Sequence, residues 1–313
     1  MDTKYKESCD LLINNYRMIK DEFRYDGNII NHFASMINLD TNEINPKKIK
    51  SIRKKIKDST SRMSSFRGDV LYMISFLIGK ENDENTFIEE VMETYEMLID
   101  QGFDDCSNAI LSSYAIVKNS NKADRDIIIR KMVGIYKAME LSYKDITNQD
   151  DYLECTLLAL SGLDKDESVT YMRSRFDLLT KLNLFSKNSV QGFIMALLLN
   201  NSNPQYNLIE ELLKDFKKHN IRICHNSLAL LGVAAGNEEP ESYVLKVKEV
   251  IEYICNEEPE YQYFMDKSFM TFIAIATIEK AEKREKYTDE LISMVVELFI
   301  ASRSQGNKSR RFA

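Results

Sequence analysis

The chain has no tryptophan, only 4 prolines and only 10 glycines among 313 residues. Turn-forming breakers this sparse argue against an all-β chain, and alternating strand patterns with paired turn signals are missing as well. The five cysteines (Cys9, Cys106, Cys155, Cys224, Cys255) are odd in number, scattered, and form no C-x-x-C pair. This spacing indicates neither a zinc knuckle nor a disulfide framework, and the residues read as reduced, mostly buried thiols. Of the three histidines, His32 lies in the apolar run NIINHFASMIN and reads as a core or boundary residue. Cys224-His225 is a tempting pair, yet with His219 six residues from His225 no third metal ligand is in view. Near Asp164, Asp166 and Glu167 the central glycine and distal glutamate of an EF-hand are absent. No G-x-S-x-G, H-E-x-x-H, P-loop or G-x-G-x-x-G occurs. The sequence therefore assigns no catalytic residue, no metal ligand and no cofactor. The longest nearly uncharged apolar runs, such as FIMALLL, are too short for a membrane span. The opening MDTKYKESCD is polar and has no apolar signal segment, so the cytoplasm is the expected location.

What the chain does contain is helix-forming material. Leu, Ile, Met, Glu and Lys are abundant, and 44% of the residues are hydrophobic, enough for a sizeable core. At 313 residues the chain exceeds the size at which one compact core keeps growing. Apolar helices recur, each with a small residue at its middle: Ser75, Ala115, Ala159, Ala196, Ala234 and Ala274. Successive anchors lie 40, 44, 37, 38 and 40 residues apart. Each is followed by a polar link and then by a more amphipathic helix. A period near 40 with two helices per unit falls in the range of helical arrays. A small residue at mid-helix lets a neighbouring backbone approach closely, and an apolar helix must be covered by neighbours. The expected fold is all-α: an array of antiparallel helix pairs, about fourteen to sixteen helices, solenoid-like or superhelical, with curvature toward an α/α ring as a variant. Residues 1–60 read as an N-terminal helical cap, 61–302 as about six helix pairs, and 303–313 as a basic flexible tail.

The net charge of −7 hides an asymmetry. Residues 47–57 (KKIKSIRKKIK) hold seven bases and 301–313 hold four, with no acid in either. Without these eleven the remainder stands at −18, which would repel a phosphate backbone, so nucleic acid is not an expected partner. Asn45-Pro46 reads as an N-cap followed by proline at the first helical position. Ile49, Ile52 and Ile56 then form one apolar stripe, and the segment reads as a docked helix with solvated lysines that pair with the acidic body. The loop after it, STSRMSSFRGDV, carries Phe66-Arg67-Gly68: a large anchor, a charged fork and a permissive backbone. Arg67 either pairs with a carboxylate or holds an anion; pairing with Asp69, Asp104 or Asp105 is expected. Asp150 or Asp151 reads as the cap of the helix that starts at Tyr152.

The runs SSFRGD, YEMLIDQGF, NQDDYLECTLLAL and LNLFSKNSVQGFIMALLL together resemble the bacterial domain of unknown function 4003 family over about 60–300. That family carries an F-R-G segment, a pair of Asp before an apolar helix, and a Gly-Asn-x-x-Gln-like turn. The resemblance points to Phe66, Arg67 and Gly68, to Asp150 and Asp151, and to Asn188 with Gln191. It departs at the last motif, with Lys187 in place of the expected Gly and Phe193-Ile194 where a more polar continuation is expected. It implies Arg67, Asp150, Asp151, Asn188 and Gln191 as binding candidates and lends no activity. The two function classes compatible with this are a binding or scaffold module for a protein or peptide partner, and an enzyme on an α/α ring, prenyltransferase- or cyclase-like in architecture. The absence of Trp and of an Asp-rich diphosphate motif weighs against the second. The Lys, Ile and Asn richness fits a low-GC bacterial source.

Overall fold

A computed structural model describes residues 1–40, 44–181, 186–200, 206–223, 227–235, 238–283 and 285–311, with side chains through 301 except at 264. Among the described residues the chain is helical and has no β-strand. The helices in order are α1 (Thr3–Glu22), α2 (Asn28–Ile37), α3 (Pro46–Ser59), α4 (Asp69–Gly79), α5 (Glu84–Asp100), α6 (Ser107–Asn119), α7 (Arg125–Ser142) and α8 (Tyr152–Leu160). They continue with α9 (Lys165–Thr180), α10 (Lys187–Leu199), α11 (Tyr206–Lys218), α12 (Leu228–Ala234), α13 (Pro240–Glu257), α14 (Pro259–Phe264), α15 (Lys267–Glu282) and α16 (Thr288–Arg311). These sixteen α-helices agree with the expected all-α class. Cys224 and His225 lie outside the described residues.

The chain divides into two compact units. Unit 1 comprises Met1–Asp21, Ser35–Asn42 and Thr170–Ile292; unit 2 comprises Glu22–Ala34, Glu43–Val169 and Ser293–Ala313. In unit 2, α4, α6 and α8 pack in series, with α5 and α7 against α6 and α7 also against α8. In unit 1, α10 packs on α12 and α12 on α15, while α11 packs on α13. The six small residues expected at mid-helix sit on the in-series helices and are all buried, but Ala159 stands next to the end of α8 and Ala234 at the end of α12. Nearly every residue of α8 and all of α12 are buried, whereas α5, α7 and α11 bury a single stripe. Burial on all sides requires close approach. At Gly232 in α12 an added Cβ would stand 2.8 Å from the Cβ of Ala196 and 2.8 Å from the carbonyl of Phe193, both on α10. Any side chain there would wedge the two helices apart.

Helix α3 forms as its sequence suggests. The Asn45 side chain accepts from the amides of Lys47 (3.1 Å) and Lys48 (3.2 Å), and Pro46 occupies the first turn, where no amide donor is needed. Ile49, Ile52 and Ile56 are buried, and Lys50 pairs with Glu22 (3.1 Å). Arg53, one of the seven bases of 47–57, is only 9% exposed. Its spacing from Ile49 and Ile56 puts it on the buried stripe. Its guanidinium lies 4.8 Å from the ring centre of Phe23, 4.5 Å from Tyr72 and 5.2 Å from Phe76. Nε donates to Ser75 Oγ (3.0 Å), and Nη2 stands 2.6 Å from Asp26. Aromatic faces and one carboxylate replace water around this cation.

Arg67 requires a correction. Among the described residues it bonds no carboxylate. Nη1 donates to the Thr60 hydroxyl and to the Phe66 carbonyl (2.8 Å); Nη2 donates to the carbonyls of Lys57 (3.0 Å) and Thr60 (2.7 Å). The expected partners Asp69, Asp104 and Asp105 all lie C-terminal to Arg67. The loop instead folds back on the end of α3, where helix carbonyls lack partners and the dipole favours a cation. Phe66 is buried, as expected, and Gly68 takes φ +66, a conformation open to glycine, as α4 begins.

Arg53→Met is expected to lower unfolding free energy in urea by about 3–5 kcal/mol, because it strands Asp26. The double variant Arg53→Met, Asp26→Asn should recover part of that loss. A single-variant loss below about 1 kcal/mol would mean that Arg53 is surface-like.

Candidate functional site: an acidic cleft in unit 2

The polar turns of unit 2 meet at a cleft of about 690 Å³. Its lining includes Asp104 from the loop after α5, Cys106 and Asn108 at the start of α6, Tyr136 from α7, Asp150 from the turn before α8, and Glu297 from α16. Ser65, beside the Phe66-Arg67-Gly68 segment, also lines it. No Lys, Arg or His is among the described lining residues.

Each wall has a local cause. Phe66 packs edge-on against Tyr95 (5.0 Å between ring centres), and the Tyr95 hydroxyl donates to Asp105. Ser65 Oγ donates to the Asp105 carbonyl (3.1 Å), tying the Phe66 loop to the loop after α5. Hydrogen bonds from Ser65 and Tyr95 hold the Asp105 carboxyl below its usual range. Phe103, Tyr136 and Tyr152 form a three-ring cluster at 4.7, 5.0 and 5.6 Å. The Tyr152 hydroxyl donates to Asp104 Oδ2 (3.3 Å). The turn before α8 is a capping box: Asn148 Oδ1 accepts from the Asp150 amide (2.8 Å), and Asp151 Oδ2 accepts from the Asn148 amide (2.8 Å). The expectation that Asp150 or Asp151 caps α8 is corrected: the Asp151 side chain makes no cap bond to α8, and Asn148 caps the 3-10 turn Gln149–Asp151 that leads into it, with Asp151 closing that capping box. That role leaves Asp150 to the cleft.

The electrostatics follow from burial among like charges. Burial pushes the Asp150 carboxyl up, and burial with Asp151 and then Asp150 nearby pushes up Glu154, inside α8. Glu297 is pushed up to about 7 by burial, against a hydrogen bond from Ser107, with Asp150 and Asp69 adding to the rise. The Cys106 thiol is also raised, mainly by burial. Among the described residues no group of three or more His, Cys, Asp or Glu is placed to hold a metal ion.

Of the five residues singled out in the sequence, Arg67, Asp150 and Asp151 belong to unit 2, and Asn188 and Gln191 to unit 1. Only Asp150 lines the cleft; Arg67 closes α3 and Asp151 closes the capping box. On α10, Asn188 is half-buried in the first turn and Gln191 is fully buried. Asp104, Asn108, Tyr136 and Glu297 were not singled out. They are single polar residues spread from 104 to 297, and no spacing links them before the chain folds.

Unit 1 has a cleft of its own, about 590 Å³, lined by Lys4, Glu7, Asp40, Glu279, Lys283 and Asp289 among others. Its charges are of both signs, and some are paired: Lys280 with Asp289 (2.7 Å), Lys4 with Glu282 (2.9 Å). Glu279 is fully buried, accepts from the Tyr243 hydroxyl (3.0 Å) and is pushed by burial up to about 8.

A carboxyl raised in the folded state contributes stability that is complete below its unfolded value and lost as pH rises through its folded value. Glu279 therefore loses its contribution between the usual 4.5 and about 8. His32 acts in the opposite sense: burial lowers it to about 3, so its contribution is lost as pH falls from 6.5 toward that value. Glu279→Gln is expected to flatten the decline in stability between about pH 5 and 8, measured by urea melts at stepped pH. An unchanged slope over that range would refute a neutral buried Glu279.

The family model described as Protein of unknown function (DUF4003) matches residues 15–305. No curated protein and no solved structure matches the chain.

Proposed function

Starting from a chain that belongs to the DUF4003 family, we propose that the protein is a cytoplasmic binding module for a protein or peptide partner, with the acidic cleft of unit 2 as its site. One observation carries this reading. Two of the segments that carry the family resemblance, SSFRGD and NQDDYLECTLLAL, line the same cleft through Ser65 and Asp150. A capping box and the Tyr95–Asp105 contact fix their loops in place. Cleft walls braced by packing and second-layer hydrogen bonds suit recognition. The same reading takes the chain as an array of about six helix pairs over 61–302, with 1–60 as a cap and 303–313 as a tail. The in-series packing of the buried helices within each unit supports it. The alternative, an enzyme on an α/α ring, needs a reactive group in the cleft. Its nearest candidate is Cys106, and a thiol raised by burial stays protonated and is a poor nucleophile.

A photo-crosslinking amino acid placed at Ser65 tests the reading in cells of the native host. A discrete protein or peptide adduct is expected from Ser65 and not from the exposed Ser242 in unit 1. Adding Asp150→Lys should abolish it. Equal adducts at both positions, or none at Ser65, would reject the cleft as a partner site.

A further inference from the structure

We propose that the cleft of unit 2 is a receptor for an alkylammonium group, carried either by a free aliphatic amine or by a lysine side chain of the partner. The proposal rests on the binding reading above and names the chemistry that the site would take.

Three carboxyls, Asp104, Asp150 and Glu297, reach one cleft from three separate elements, and none of the described lining residues is cationic. An acidic lining alone would say little, since such groups often face only solvent. The second observation is Asn108. It lines the cleft, is only 4% exposed, and its Oδ1 has no hydrogen-bond partner. A buried carboxamide oxygen without a donor carries a free-energy penalty that a ligand N–H can remove. The lining thus holds an unmet acceptor and, among the described residues, no positive charge. Tyr136 adds a ring to the wall, and a cation gains from an aromatic face.

The acceptors' origins narrow the class of cation. They arrive singly, from a loop, a turn, the first turn of α6 and α16. An ammonium offers three tetrahedrally arranged donors, each free to take a different acceptor. A guanidinium offers a planar fork suited to both oxygens of one carboxylate. A bare metal ion would need oxygens drawn to about 2–2.6 Å around one point, and the described carboxylates form no such group. Burial already holds Asp150 and Glu297 high, so a cation entering the cleft meets carboxyls whose ionised forms it would relieve.

The test is calorimetric titration of the purified full chain at pH 8 and low salt. The probes are 1,4-diaminobutane, an end-blocked Gly-Lys-Gly peptide, its acetyl-lysine and arginine counterparts, and magnesium chloride. Saturable binding of the diamine or the lysine peptide is expected, with the tighter of the two identifying the source. The acetylated peptide should not bind. Asp104→Asn, at an exposed position, and Asn108→Ala should each weaken binding at least tenfold, with melting curves confirming that the variants are folded. Absence of saturable binding by either ammonium probe would overturn the proposal. So would binding of the acetylated peptide, tighter binding of the arginine peptide or of magnesium, or affinities unchanged in both folded variants. If the ammonium probes fail while the Ser65 crosslink captures a partner, the ligand class falls and the binding reading stands. If the probes bind while no crosslink forms, the reverse holds for a macromolecular partner.

Discussion

A helix that is apolar all round has no face to give to water, so every side of it must be covered by another helix. That constraint governs both units. In unit 2 it falls on α4, α6 and α8, and in unit 1 on α10, α12 and α15. Covering a helix on all sides requires small residues where backbones cross. Ser75, Ala115, Ala159, Ala196, Ala234 and Ala274 lie on these six helices and are all buried, although Ala159 and Ala234 stand at the C-terminal ends of α8 and α12 rather than at mid-helix. Gly232 against Ala196 and Phe193 is the tightest expression of the rule in unit 1. The amphipathic helices α5, α7, α11 and α13 can then keep one face in water, and the polar loops that join the two kinds of helix are free to carry a site.

Polar groups drawn into this packing are handled in two ways. Arg53 is matched: three rings, a serine and one carboxylate replace its hydration. The carboxyls of Glu154, Glu279 and Glu297 are not matched by cations strongly enough to stay low, and burial drives them toward the neutral form. The acidic cleft sits where the second behaviour gathers beside an oxygen of Asn108 that accepts no bond.

Local chemistry was legible in the sequence where one segment contained both partners. The Asn45-Pro46 start of α3, its stripe of Ile49, Ile52 and Ile56, the burial of His32 and the absence of strands among the described residues needed no knowledge of distant residues. Asp150 or Asp151 was read as the cap of α8, whereas Asn148 caps the preceding 3-10 turn and Asp151 bonds back to it. Arg67 was misread because both neighbouring helices lay within reach in sequence, and the end of α3 offered it carbonyls that the start of α4 did not. Arg53 was not singled out from the bases of 47–57, although its spacing from Ile49 and Ile56 already placed it on the buried stripe. The rest of the cleft was not legible. Asp104, Asn108, Tyr136 and Glu297 become one lining only after α6, α7 and α16 are in place.

Native-state hydrogen exchange resolved by residue tests the central constraint most directly. If full cover of the apolar helices holds each unit together, amides at the centres of α6, α8, α10 and α15 should exchange only through global opening. Those on the outer faces of α5, α7 and α11 should open locally at lower free energy. Uniform protection across both kinds of helix, or faster exchange in α8 than in α7, would contradict the account.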